Sequence, residues 1–182
     1  MGKHSNIILL DPKSGLILDS IRRLDFKDNR YRQVMPGLSY IAPPPQDKQA
    51  LEDITNDDFL GWFYENEEQK VEKVLLNHLA GFGPQSVCEL LHRADIESDI
   101  SAHYFGEYEY SVIWQQLLSF KETVLKNNWQ PTLVKENDRP LAFAPFVLTQ
   151  FTDMPQISYP DMSKLLEDFI GTKEQSVLLE QK

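Results

Sequence analysis

The chain has 182 residues, of which 41% are hydrophobic and 25% charged. That is ordinary globular composition and excludes a wholly disordered chain, a collagen and a disulfide scaffold. The net charge of −10 argues against tight nonspecific DNA binding, and apolar runs such as Ile7 to Leu10 fall far short of the ~20 residues that cross a bilayer.

The first residues hold too short an apolar stretch for a secretion signal. Asn6 stands where a myristoylation pattern wants Ser or Thr. The single Cys88 cannot form an internal disulfide and fits a reducing compartment. Charge is unevenly spread. Residues 1–33 carry seven basic and four acidic residues, a balance of +3; residues 46–110 carry four and fifteen, or −11; residues 111–182 carry seven and nine, or −2. The basic end suits an anionic partner, while the acidic middle reads first as a solvated helical face.

Ile7 to Leu10 and Leu16 to Ile21 are apolar and rich in β-branched residues, and Asp11-Pro12-Lys13-Ser14-Gly15 between them is a turn signal. They predict a β-hairpin with a five-residue loop. Leu38 to Ile41 reads as a further short strand, and Pro43-Pro44-Pro45 places a boundary near 42–48. From about residue 49 the pattern is helical. Thr55 before Asp57 and Asp58 is an N-cap signal. Val71, Val74, Leu75, His78 and Leu79 share a helical face. Gly81 and Gly83 end that helix, and Pro84 opens the next, whose apolar face is Val87, Cys88, Leu90, Leu91 and Ala94. A third helix over roughly 107–127 carries Tyr108, Val112, Leu117, Phe120 and Val124. Thr132 to Lys135, a turn at Glu136-Asn137-Asp138-Arg139, and Leu141 to Leu148 predict a second hairpin. Pro140 and Pro145 confine its second strand to an edge or interrupt it. Asp161 or Ser163 caps a last helix with Leu165, Leu166 and Phe169. The architecture expected is α+β, with both β parts sharing one sheet system.

Leu75 to Leu91 reads helix, Gly81-Phe82-Gly83, helix. The two glycines permit a tight turn and leave backbone N–H groups exposed at the start of the second helix, where they bind a phosphate oxygen without a charged side chain. A plain packing turn between helices has the same pattern. Glu89, Asp95, Glu97 and Asp99 nearby count against nucleic acid, and Arg93 counts for it. Arg22-Arg23 and Asn29-Arg30-Tyr31-Arg32 combine phosphate pairing with base stacking; a solvated strand end with Tyr31 partly in the core is the alternative. His4, His78, His92 and His103 lack metal-ligand spacing, and no second cysteine completes a zinc site. Neither a Gly-x-Ser-x-Gly elbow nor a P-loop is present. Tyr40, Trp62, Tyr64, Trp114 and Trp129 read as core or interface residues. No enzymatic activity, cofactor or metal is expected.

Met1-Gly2-Lys3-His4-Ser5-Asn6, Leu18-Asp19-Ser20-Ile21, Asn29-Arg30-Tyr31-Arg32, Pro36-Gly37 and Pro43-Pro44-Pro45, followed by Phe143 to Gln150 and Leu165 to Phe169, occur here in order. These blocks resemble the NFACT family, in bacteria also called the fibronectin-binding protein A family. The resemblance implies a partial β-rich N-domain at 1–48, an inserted helix-hairpin-helix region at 49–127, a returning β-hairpin and helix at 128–172, and the start of a coiled coil at 173–182. It implies that Met1-Gly2 lies inside the family's N-terminal domain, with the family's Asp-Arg pair for tRNA binding upstream. It implies an RNA-binding, cytoplasmic role in ribosome quality control, with tRNA and the large ribosomal subunit as partners and no membrane. The RNA-contacting residues expected are Arg22, Arg23, Arg30, Tyr31, Arg32, Gly81, Phe82, Gly83 and Arg93. The alternative is an adhesin that binds fibronectin, at the cell surface without a recognisable export signal. The family's N-terminal fold is compared with DNA glycosylases that use an N-terminal proline, which Met1-Gly2 cannot supply; that activity is not expected.

Overall fold

The structure, a computed structural model, describes residues 5–27, 30–44 and 46–180, the last nine of these by backbone alone. It divides into two units, Met1–Gln46 and Asp47–Lys182.

In the first unit β1 (Ile8–Leu10) pairs antiparallel with β2 (Ile17–Ser20), with a bulge between Leu9 and Leu10. The loop between them closes through the Gly15 N–H on the Asp11 carbonyl at 2.9 Å. The Asp11 carboxylate accepts from the Lys13 N–H at 3.1 Å and from the Ser14 hydroxyl. The strand expected at Leu38 to Ile41 is instead one bridge, Leu16 to Ser39. Gly37, at φ +85°, bends the chain directly before it and stops a longer ladder. Only Ile17 and Val34 are fully buried hydrophobic side chains among the described residues of this unit.

The second unit begins with α1 (Asn56–Glu65). Thr55 Oγ1 accepts from the Asp58 N–H at 3.2 Å, and the Asp58 carboxylate accepts from the Thr55 N–H at 3.0 Å, a reciprocal capping box. Next come α2 (Val71–His78), α3 (Pro84–Arg93) and α4 (Glu107–Leu125). Phe59, Phe63, Val71, Val74, Leu75, Val87, Leu90, Leu91, Ile113 and Leu117 form their common core. On α4 the buried face is Tyr110, Ile113, Leu117 and Phe120, spaced by three, four and three. Tyr108, on the same helix, lies off that stripe and is 71% exposed.

β3 (Thr132–Glu136) and β4 (Arg139–Ala144) form the second hairpin. Asn137 and Asp138 both have positive φ, 49° and 61°, as a two-residue type I′ turn requires. β5 (Gln156–Ser158), which the sequence pattern did not signal, pairs with the other side of β3, giving the order β4-β3-β5. Pro140 therefore sits on an edge strand, as expected. The strand ends at Ala144 rather than Leu148, where Pro145 follows. The expected shared sheet is not formed: β1 and β2 make a sheet of their own, and β3 has both edges occupied by β4 and β5. α5 (Met162–Glu180) starts where the Asp161 carboxylate accepts from the Lys164 N–H at 2.8 Å. Its Phe169 packs on Phe143, with ring centroids 4.6 Å apart. Helix α5 runs unbroken past residue 173; residues 181–182 lie outside the described residues. Among the described residues no helix is long and apolar enough to cross a membrane.

Candidate nucleic-acid interface

Helices α2 and α3 are joined by Leu79 to Gly83. Gly81 takes φ +79° and is exposed, a conformation that L side chains rarely adopt. Gly83 is the N-cap of α3 with ordinary extended backbone, and a Cβ added there meets nothing within 4 Å. With no side chain at Gly83 and no N–H on Pro84, no side-chain cap covers the first turn of α3. Phe82 turns inward and meets Phe120 edge-on at 5.7 Å, which anchors the turn. Gln85 ties the same end of α3 to the sheet, its Nε2 donating to the Phe143 carbonyl at 2.7 Å.

One helical turn on, Glu89 is fully buried. Its carboxylate accepts from Arg93 Nε at 2.7 Å, the Thr149 N–H at 2.9 Å, the Thr149 hydroxyl at 2.8 Å and the Gln150 N–H at 3.0 Å. From the sequence, Glu89 is expected to repel phosphate. Instead it points inward and caps the short 3-10 helix Thr149–Phe151. Arg93 also donates from Nη2 to the Val147 carbonyl at 2.7 Å and lies 4.8 Å from the Phe120 ring centroid. Asp95, Glu97 and Asp99 are exposed beyond the other end of α3.

In the first unit Arg23 pairs with Asp19 at 3.4 Å on the surface. Arg22 is held at its backbone, where Asn6 accepts from its N–H at 2.9 Å and donates to its carbonyl at 2.7 Å. Arg32 donates from Nη1 to the Ile41 carbonyl at 3.0 Å and lies 5.9 Å from the Tyr40 ring centroid. Arg30 and Tyr31 are exposed, and with Phe26, Arg32, Leu38 and Ile41 they line a cavity of about 330 Å³. Asn29, His4 and Pro45 lie outside the described residues. Arg30 and Arg32 thus share one cavity in the first unit, whereas in the second unit Arg93 closes α3 at the end opposite the glycine turn.

No group of three or more His, Cys, Asp or Glu fit to hold a metal occurs among the described residues. Burial, and next the Glu72 carboxylate, push the Cys88 thiol above its ordinary value, opposite to the shift of a nucleophilic thiol. His78 stacks on Trp62 at 5.2 Å and its Nδ1 lies 2.8 Å from the Val74 carbonyl, a packing role. Trp62 is buried, whereas Tyr64 is 61% exposed.

The family model described as NFACT N-terminal and middle domains matches residues 1–182. The chain belongs to the NFACT family. It is 36% identical over 101 residues to the Rqc2 homolog RqcH of Bacillus subtilis, a match that spans 56% of this chain and 18% of that protein. It is 54% identical over 44 residues to the Rqc2 homolog RqcH of Streptococcus pneumoniae, spanning 24% of this chain and 8% of that one. Among solved structures, the fibrinogen binding protein from Staphylococcus aureus superposes with a TM-score of 0.67 at 27% identity, over 93% of this chain and 56% of that one. The N-terminal part of the fibronectin/fibrinogen-binding protein from Streptococcus suis shares the fold at TM-score 0.62 and 24% identity, over 94% of this chain and 54% of that one. The mixed α+β architecture of this NFACT chain is therefore that of solved relatives.

Proposed function

We propose that this NFACT chain is a non-enzymatic RNA-contacting module of a ribosome-associated quality-control factor, working in the cytoplasm on tRNA and the large ribosomal subunit. The observation that carries the reading is the 36% identity over 101 residues with the Bacillus subtilis Rqc2 homolog RqcH. Each unit supplies its own contact. At the Gly81-Phe82-Gly83 turn, the uncapped N–H groups of the first turn of α3 face a phosphate oxygen, in the manner of a helix-hairpin-helix. The exposed acids Asp95, Glu97 and Asp99 follow the far end of a ten-residue helix. That is about 15 Å away, beyond the ~8–10 Å reach of unscreened surface charge at physiological salt. Arg93 holds α3 against the loop at Val147. In the other unit Arg22, Arg23, Arg30 and Arg32 pair with phosphates and Tyr31 stacks on a base.

A second reading rests on the names of the structural relatives from Staphylococcus aureus and Streptococcus suis, which bind fibrinogen or fibronectin. The two readings differ in salt dependence. Titration against tRNA, large ribosomal subunits and fibronectin at about 50 and about 200 mM salt separates them, because counterion release makes RNA binding fall steeply. Binding to fibronectin alone, at micromolar affinity or better, overturns the RNA reading.

A further inference from the structure

We propose that the cavity between the C-terminal end of α1 and the N-terminal end of α4 binds an arginine or lysine side chain from a basic polypeptide segment. The cavity, of about 370 Å³, is lined by Tyr64, Glu67, His103, Phe105, Glu107 and Tyr110. Its aromatic wall is packed ring on ring. Tyr110 packs against Phe63 at 5.3 Å, Phe105 at 5.8 Å and Tyr64 at 6.1 Å between ring centroids. Tyr64 keeps 61% of its surface in water, and Tyr104 and Tyr108, next in the chain to His103 and Glu107, are more exposed still. The exposed Tyr64 ring on the cavity wall suits a cation over its face.

The carboxylates fix the sign of the ligand. The Glu67 carbonyl accepts from the His103 N–H at 2.8 Å and the Ser101 hydroxyl at 2.9 Å, which sets that rim. Glu107, the first residue of α4, lines the same cavity. Glu65, Glu68 and Glu109 are close by in the chain, with Glu109 held by the Gly106 N–H at 2.8 Å. Burial first, then Tyr64 and the Glu67 and Glu109 carboxylates, push the Tyr110 hydroxyl above its ordinary value, consistent with a negative field in the cavity. A phosphate is repelled here. A guanidinium on a peptide satisfies both features, stacking its plane on tyrosine while its donors face Glu67 and Glu107. This site is separate from the proposed RNA contacts and does not depend on them.

The test is fluorescence anisotropy of a labelled dodecapeptide of alternating arginine and glycine, titrated with the full chain. Glu67→Gln with Glu107→Gln is expected to weaken binding by about tenfold or more, and Tyr64→Ala by about fivefold. All three positions are exposed, and circular dichroism verifies that the variants fold. The control is Glu52→Gln with Asp53→Asn, at the opposite end of α1, which removes the same charge and is expected to change affinity by less than about twofold. Equal loss in the control and the cavity variant overturns the site, because the attraction is then general to the acidic surface. Failure of the parent chain to bind the peptide overturns it as well.

Discussion

Arg93 and Glu89, one turn apart on α3, form a bracket inside the second unit: Nε lies 2.7 Å from a carboxylate that is entirely buried. The same carboxylate caps the 3-10 helix at Thr149, and the same guanidinium holds the Val147 carbonyl. One ion pair thus joins a helix to a loop more than fifty residues away. Arg93→Ala leaves the buried charge with only its neutral donors and is expected to cost about 3 kcal/mol. Arg93→Lys recovers only part, because an ammonium cannot reproduce the fork to Glu89 and Val147. Urea denaturation measures both; a loss below about 1 kcal/mol for Arg93→Ala contradicts the bracket.

The α1 capping box predicts an acid-side signature. Hydrogen bonds from the Thr55 hydroxyl and then its N–H hold the Asp58 carboxyl below its ordinary value. A depressed folded value means the contribution is present above the unfolded value of about 3.9 and disappears as pH falls through the folded one. Thr55→Ala is expected to destabilise the chain by about 1 kcal/mol at neutral pH. The gap between variant and parent should narrow as pH falls below about 4. A gap that stays constant in urea titrations down to that range rules out the linkage.

Much of this architecture is legible locally. Thr55 and Asp58, Gly81 and Pro84, and Asn137-Asp138 each announce a cap or turn by chemistry confined to a few residues. What is illegible depends on distant partners. Glu89 looks like a solvated helical acid until Thr149 and Gln150, sixty residues on, supply its donors. β5 is three residues long and exists because β3 has a free edge to pair with. Tyr64, Glu67, His103 and Glu107 meet only through tertiary packing, and the one available signal is the density of tyrosine and glutamate in two separate segments.

The two turn glycines predict opposite behaviour. Gly81→Ala places a Cβ at φ +79° and is expected to cost about 1–2 kcal/mol in folding. Gly83→Val has ordinary backbone and room for its Cβ, so it is expected to cost no more than about 1 kcal/mol, the loss of a favourable N-cap. Its side chain shields the first N–H groups of α3, so tRNA affinity should drop. Equal tRNA binding by folded parent and Gly83→Val would make the turn a packing device only.

The basic stretch predicts a change in salt slope. Arg30→Ala with Arg32→Ala is expected to lower the log–log slope of tRNA affinity against salt by roughly 0.7–0.9 for each phosphate that the variant no longer neutralises. Arg32 also holds the Ile41 carbonyl, so Arg30→Ala alone isolates the electrostatic part. An unchanged slope in both variants removes these residues from the interface.

The most direct test of RNA contact in ribosome rescue is co-sedimentation of the chain with large ribosomal subunits carrying peptidyl-tRNA, at about 50 and about 200 mM salt. With four arginine–phosphate contacts the affinity is expected to fall on the order of 100-fold across that range. Absence of subunit binding at the lower salt, or binding that does not change between the two, contradicts the account.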